Sequence, residues 1–209
     1  MNILLADDHL MCLDGYILAL NNSVNKYYTA KSCEEVYTKL LQRLKFDVAI
    51  LGHNMEAFEE KNIRTGFDCA KVIRRCFPDC KIIMVISQKA SIVLYNIYKQ
   101  EILNALILKS DFTPDQFRAI VNAEGINETY YSNGVKKAIA QLQKTTSLLE
   151  SKNREILSYL GAGFKVSQLP EVVNLSHSAV QKRISKMLKE FDVRDNLELI
   201  QVVKKQNLL

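Results

Sequence analysis

With 209 residues, 48% of them hydrophobic and 24% charged, the chain is long enough for one large or two small packed domains and too apolar for a disordered polymer. No run of about eighteen apolar residues occurs, and the opening MNILLADDHL turns acidic too early for a secretory signal, so neither a spanning helix nor export is expected. The net charge of +5 is unevenly spread: residues 1–124 are near neutral and the remainder carries the excess, the asymmetry of a regulatory half joined to a half that meets nucleic acid.

Asn2–Ala6 (NILLA) is a short apolar run that reads as a buried strand, and its carboxyl end delivers Asp7 and Asp8 to a sheet edge. A helix follows from His9 to about Leu20, then a weaker strand at Lys26–Ala30. Cys33–Leu44 reads as a helix with Val36, Leu40 and Leu41 inward. Phe46–Leu51 is a third strand; Thr65–Cys76 is a helix with Phe67, Ala70, Val72 and Ile73 on its buried side. Lys81–Ile86 (KIIMVI) is a strand closed by Ser87, Ser91–Gln100 a helix, Ala105–Leu108 a strand closed by Lys109, and Thr113–Asn122 a helix. Five alternations of strand and helix imply a five-stranded, doubly wound parallel sheet with helices on both faces, because each parallel crossover needs a connection of this length. Sites in such sheets lie at the carboxyl ends of the strands, here Asp7, Asp8, Gly52, Ser87 and Lys109.

Those positions resemble the response-regulator receiver domain over about residues 1–124. The resemblance implies an acidic pair for Mg²⁺ at Asp7 and Asp8, and phosphoryl-oxygen partners at Ser87 and Lys109. The acceptor aspartate of that family falls on Gly52, which has no side chain and so no nucleophile. The aromatic residue of the family's fifth strand is Leu106 here. With two acids left, a hard divalent cation gains little from the site, so no cofactor is expected; Lys109 is free to pair with Asp7 or Asp8 instead. His53 is one residue past Gly52, on the opposite face by strand alternation, and reads as a loop histidine. The charged stretch Glu56–Arg64 either covers the vacated pocket or is a solvated loop, and its run of charges favours the second.

Cys12, Cys33, Cys69, Cys76 and Cys80 are odd in number and lack metal-ligand spacing, with His9, His53 and His177 far off in sequence; they read as reduced thiols of a cytoplasmic protein.

Gly125–Ser132 carries turn residues. Asn133–Lys144 is a helix with Val135, Ile139 and Leu142 on one side, and Lys144–Ser147 reads as a flexible joint, so that residues 125–147 form a linker. Residues 148–209 then read as an all-α, four-helix domain. Its first helix, Ser151–Leu160, has Ile156, Leu157 and Leu160 as its stripe and ends at Gly161 and Gly163. In the short segment Ser167–Asn174, Pro170 would remove a hydrogen bond and clash beyond a first turn, so a helix that starts late or is distorted is expected there. Ser176 is placed to cap the next helix, in which Val180, Ile184, Met187, Leu188 and Phe191 form one apolar face. The other face carries Lys182, Arg183, Lys186 and Lys189, with Ser178 and Gln181 near the amino end. An amphipathic helix at Leu197–Lys205 closes the chain.

Helix, glycine turn, short helix, tight turn and basic helix is the helix-turn-helix order. Glu155-Ile156-Leu157, Gly161–Gly163, Leu175-Ser176, Val180, Val193-Arg194 and Glu198-Leu199 resemble the LuxR-type DNA-binding pattern, with Ala179 and Gln181 in place of its usual Thr and Lys. The two resemblances together imply an atypical response regulator of the NarL/FixJ type, not an enzyme, that binds double-stranded DNA as a homodimer with the helix His177–Phe191 in the major groove. The implied DNA-facing residues are Ser176, Ser178, Gln181, Lys182, Arg183, Lys186 and Lys189. Control would come from dimerisation, a small ligand in the vacated pocket, or a protein partner. The competing reading is an interaction module with a degenerate DNA-binding helix that sequesters another regulator.

Overall fold

The structure is a computed structural model that describes residues 1–20, 23–42, 44–87, 90–123 and 129–209. The chain forms two compact units: Met1–Gln88 with Gln100–Val135, and Lys89–Lys99 with Lys136–Leu209. The expected boundary at Glu124 and the start of the turn segment, Gly125, lie outside the described residues.

The first unit is built on strands β1 (Asn2–Ala6), β2 (Lys26–Ala30), β3 (Val48–Gly52), β4 (Lys81–Ile86), β5 (Ala105–Leu108) and β6 (Tyr130–Tyr131), in the order β2-β1-β3-β4-β5-β6 and parallel at every pairing. Among the described residues the sheet therefore has six strands, not the five expected. The sixth is only two residues, too short for any periodicity, and is held by Tyr130 N–H to the Asn104 carbonyl (2.9 Å) and Ser132 N–H to that of Leu106 (3.2 Å).

Parallel strands covered on both faces must be apolar throughout, which is why β1, β3, β4 and β5 are near-continuous runs of Ile, Leu, Val and Ala. On one face Ile3, Leu5, Val48, Ile50, Ile83, Val85 and Ile107 pack with helices α1 (Leu10–Leu20) and α5 (Pro114–Asn122) through Leu13, Tyr16, Leu20, Phe117 and Val121. The alternate residues Leu4, Leu51, Ile82 and Met84 are also fully buried, as are Val36 of α2 (Cys33–Leu41) and Ile73 of α3 (Gly66–Cys76).

Local chemistry sets the helix starts. Ser32 caps α2 by accepting from Glu35 N–H, and Thr65 and Thr113 form reciprocal capping boxes with Asp68 and Gln116 ahead of α3 and α5. Two side chains expected inside differ: Leu41 is 65% exposed and Val72 is half-buried. Leu41 is the last residue of α2, one step past Leu40 and so about 100° round the helix from the buried side. Gly66 is required by a close approach, since a Cβ there would run into the Gly52 carbonyl; its N–H donates to the His53 carbonyl (2.8 Å) and holds α3 against the end of β3.

The second unit comprises α4 (Ser91–Tyr98), most of α6 (Asn133–Gln143), and α7 (Ser151–Gly161), α8 (Leu169–Val173), α9 (His177–Glu190) and α10 (Asn196–Lys205). Ile156, Leu157, Leu169, Val173, Val180, Met187, Leu199, Val203 and Leu208 are fully buried. Ala90, which precedes α4, offers no side-chain cap. The carbonyls of Asn207 and Leu208 instead accept from Ser91 and Ile92 N–H (2.9 and 3.0 Å). Arg154 of α7, almost wholly buried, stacks on the Tyr95 ring and donates to Asn96 Oδ1 (2.7 Å) and to the Leu148 and Leu149 carbonyls.

Gly163, at φ +93, ends α7 in a conformation that favours glycine. A 3-10 turn at Val166–Gln168 leads into α8, whose Pro170 sits in the first turn where no N–H is needed, so the late start read from that proline is what the backbone does. The segment Lys144–Ser147, expected to be a flexible joint, is instead anchored. It runs into a 3-10 turn at Thr146–Leu149, Ser147 is fully buried, its N–H donates to the Glu190 carboxylate (2.9 Å), and its carbonyl accepts from Asn153 (2.7 Å). Polar composition marked a loop there, but the side chains of Glu190 and Asn153 satisfy the Ser147 backbone. Among the described residues no helix is long and apolar enough to cross a membrane.

Candidate functional site

Two clusters stand out, one at the strand ends of the first unit and one on α9. At the strand ends, β1 delivers Asp7, which is fully buried, and β5 delivers Lys109. The Lys109 ammonium lies 2.8 Å from Asp7 Oδ2 and 3.1 Å from Oδ1, and 3.2 Å from Cys12 Sγ. The Tyr16 hydroxyl donates to Asp7 Oδ2 (3.2 Å) and His9 N–H to Oδ1 (3.1 Å). Burial alone would push the Lys109 ammonium down. The hydrogen bonds and charge of Asp7, with Cys12 beside it, outweigh burial and hold it above the ordinary lysine value. Burial first, and then the Asp7 charge, push the Tyr16 phenol well above its ordinary range.

Of the two acids expected here, then, only Asp7 takes the lysine; Asp8, largely open to solvent, pairs with His9 Nδ1 (2.7 Å). Gly52 ends β3 beside them: a Cβ on it would stand 2.9 Å from Asp7 Oδ2, so any side chain there would meet the buried carboxylate. Ser87 is exposed just beyond β4. Ligand atoms of Asp7, Asp8 and His9 lie within 4.8 Å of one another. Both Asp7 oxygens are already taken by an ammonium, a phenol and an amide, and Asp8 Oδ1 is hydrogen-bonded to His9, so a cation that wants several oxygens finds too few free. Mg²⁺ does not fit this donor set.

His53 is half-buried with Nδ1 unpartnered among the described residues, and burial, against the pull of Asp68, lowers its pKa. In the loop after β3, Glu56, Glu59, Glu60, Lys61 and Arg64 are exposed while Met55 and Ile63 are buried, so its charges are solvated and its apolar residues pin it down.

On α9, the buried face is Val180, Ile184 and Met187, with Leu188 and Phe191 half-buried. Ser176 Oγ accepts from Ala179 N–H (3.2 Å) and lies 3.1 Å from Ser178 Oγ. Lys182, Arg183, Lys186 and Lys189 line one open groove of about 740 Å³ together with Glu150, Ala179 and Ser185. Gln181 is exposed but faces a separate groove with Ser185, Leu188 and Arg194. The structure thus brings together the four cations singled out by the sequence, leaves the two serines paired at the amino end, and sets Gln181 apart. Glu150, missed by sequence reading, accepts from both Arg183 Nη1 (2.5 Å) and Lys186 Nζ (2.8 Å), and Asn153 Oδ1 also accepts from Arg183 (2.9 Å). Replacing the cap Ser176 by Ala should lower the stability of the helical unit by about 1 kcal/mol, read as a lower melting transition in calorimetry with the sheet unit unaffected.

No family model matches the sequence, and no curated protein matches it. Solved structures share this fold over nearly the whole chain, at identities that speak for the fold alone. Several of these solved structures are of RcsB, a protein this chain is similar to in fold. The two-component response regulator RcsB in complex with DNA is 19% identical over 98% of both chains, with a TM-score of 0.65. RcsB from Salmonella enterica serovar Typhimurium bound to a promoter is 20% identical over 96% of both, with a TM-score of 0.66. The isolated REC domain of RcsB from that organism is 21% identical over 66% of this chain and 97% of its own, with a TM-score of 0.54.

Proposed function

We propose that this chain is a DNA-binding transcriptional regulator of two-component type whose output does not depend on aspartate phosphorylation. The observation that carries the DNA-binding part is the groove in which one capped helix presents Lys182, Arg183, Lys186 and Lys189 to solvent. Such cations neutralise backbone phosphates and position the helix on a duplex, while Ser178 and Gln181 near its amino end are left to reach base edges. Residues 1–124 would form the control domain, 125–147 the linker and 148–209 the DNA-binding domain. The protein would act in the cytoplasm as a homodimer, the form in which RcsB is described on DNA.

Independence from phosphorylation is supported by Gly52 and by the Asp7–Lys109 pair. The strand end where an acceptor would stand has no nucleophile, and the lysine that would hold a phosphoryl oxygen is bound to a buried carboxylate. Incubation with Mg²⁺ and an acyl-phosphate donor should leave the intact mass unchanged; a stable adduct would show that another residue has taken over. The sequestering-module reading is favoured by Pro170, by Ala179 and Gln181 in place of the usual Thr and Lys, and by the engagement of Arg183 and Lys186 by Glu150; the clustered positive charge opposes it. Fluorescence anisotropy with a random-sequence duplex at low salt decides between them: binding supports the regulator, and its absence supports the module.

A further inference from the structure

We infer that Glu150 is a built-in stand-in for a DNA phosphate, occupying the cation pair on α9 until a nucleic-acid backbone displaces it; the inference rests on α9 being the nucleic-acid face. Glu150 holds the N-cap position of α7 in extended backbone geometry, yet its carboxylate makes no cap bond. It turns instead to α9, with Oε2 on the Arg183 guanidinium and Oε1 on the Lys186 ammonium. Two oxygens of one anion, each on a different cation, is how two non-bridging oxygens of a phosphate would be held.

The contact is exposed, with Glu150 44% open to solvent, Lys186 52% and Arg183 29%. Exposed ion pairs are weak and screened by salt, so a polyanion that also reaches Lys182 and Lys189 outcompetes the carboxylate. Asn153, which stays hydrogen-bonded to Arg183, keeps the guanidinium aimed into the groove after the exchange. Glu150 is therefore a brake: it lowers the charge that the groove shows to any single anion and yields only to a ligand that meets several cations at once.

The test compares wild type with Glu150→Gln, which keeps the shape and removes the charge, and with Glu60→Gln, an exposed acid of the other unit, as a control for net charge. Duplex binding is followed by anisotropy across salt concentrations. Glu150→Gln should bind roughly three- to tenfold more tightly at low salt, because two weak ion pairs no longer compete. The slope of log affinity against log salt should steepen by less than about one, because the phosphate contacts in the complex are the same and only the wild-type brake is itself weakened as salt screens the Glu150 pairs. Glu60→Gln should match wild type. Equal affinity and slope for Glu150→Gln and wild type, or an equal gain in Glu60→Gln, would overturn the brake while leaving DNA binding intact. If neither wild type nor Glu150→Gln binds, the DNA-binding reading falls and the brake with it. Unchanged melting temperatures confirm that the variants are folded.

Discussion

Replacing Lys109 by Met lowers the stability of the sheet unit by about 3 kcal/mol, the lower end of what breaking a buried ion pair costs. The lower end applies because Asp7 keeps the Tyr16 and His9 donors and because the lysine is not wholly buried. In calorimetry on the full chain the corresponding transition should fall by roughly 10–15 °C, given the sensitivity of a unit of this size. The double replacement Asp7→Asn with Lys109→Met should recover much of the loss, since it removes the stranded charge as well. The pH dependence has a definite sign. Lys109 has a raised folded pKa, so its contribution is complete below the ordinary lysine value of about 10.4 and is lost as pH climbs through the still higher folded value. The gap between wild type and Lys109→Met should hold steady from neutral pH to about 9 and close in strong alkali; a gap that closes between pH 7 and 9 would contradict the pairing.

Lys182→Ala combined with Lys186→Ala should weaken duplex binding by about a hundredfold at low salt, roughly tenfold for each charge-assisted phosphate contact. The loss should be nearly equal for all sequences, and the salt slope should flatten by about two. Both side chains are exposed on the groove side of α9, so folding should be unaffected. An unchanged slope would place the DNA elsewhere.

Much of this was legible in the sequence, for identifiable reasons. NILLA and KIIMVI are continuous apolar runs, and a parallel sheet buried on both faces permits little else, so β1 and β4 fall where expected. The α9 cap and its apolar face followed from Ser176 and a three-to-four-residue spacing, and Pro170 announced the late start of α8. The sixth strand was not legible, because Tyr130 and Tyr131 are ordered by pairing with β5 and not by a pattern of their own. Nor was the anchoring of Ser147, which depends on Glu190, 43 residues away. At the strand ends the sequence offered positions, Asp7, Asp8, Gly52, Ser87 and Lys109, but not the hydrogen-bond network among them. Which acid Lys109 chooses is decided by the burial of Asp7 and the phenol of Tyr16, one helix later. The groove on α9 was readable as four cations. Glu150, 33 residues from Arg183, lies on another helix start, and no spacing rule links the two.

The most direct measurement is a titration of the wild-type protein into a fluorescent duplex at several salt concentrations, with and without Mg²⁺ and an acyl-phosphate donor. The proposal of a DNA-binding groove on α9 that works without aspartate phosphorylation predicts binding that falls steeply with salt and superimposable curves in the presence and absence of the donor. Absence of binding at low salt, or a marked tightening on adding the donor, would contradict that account.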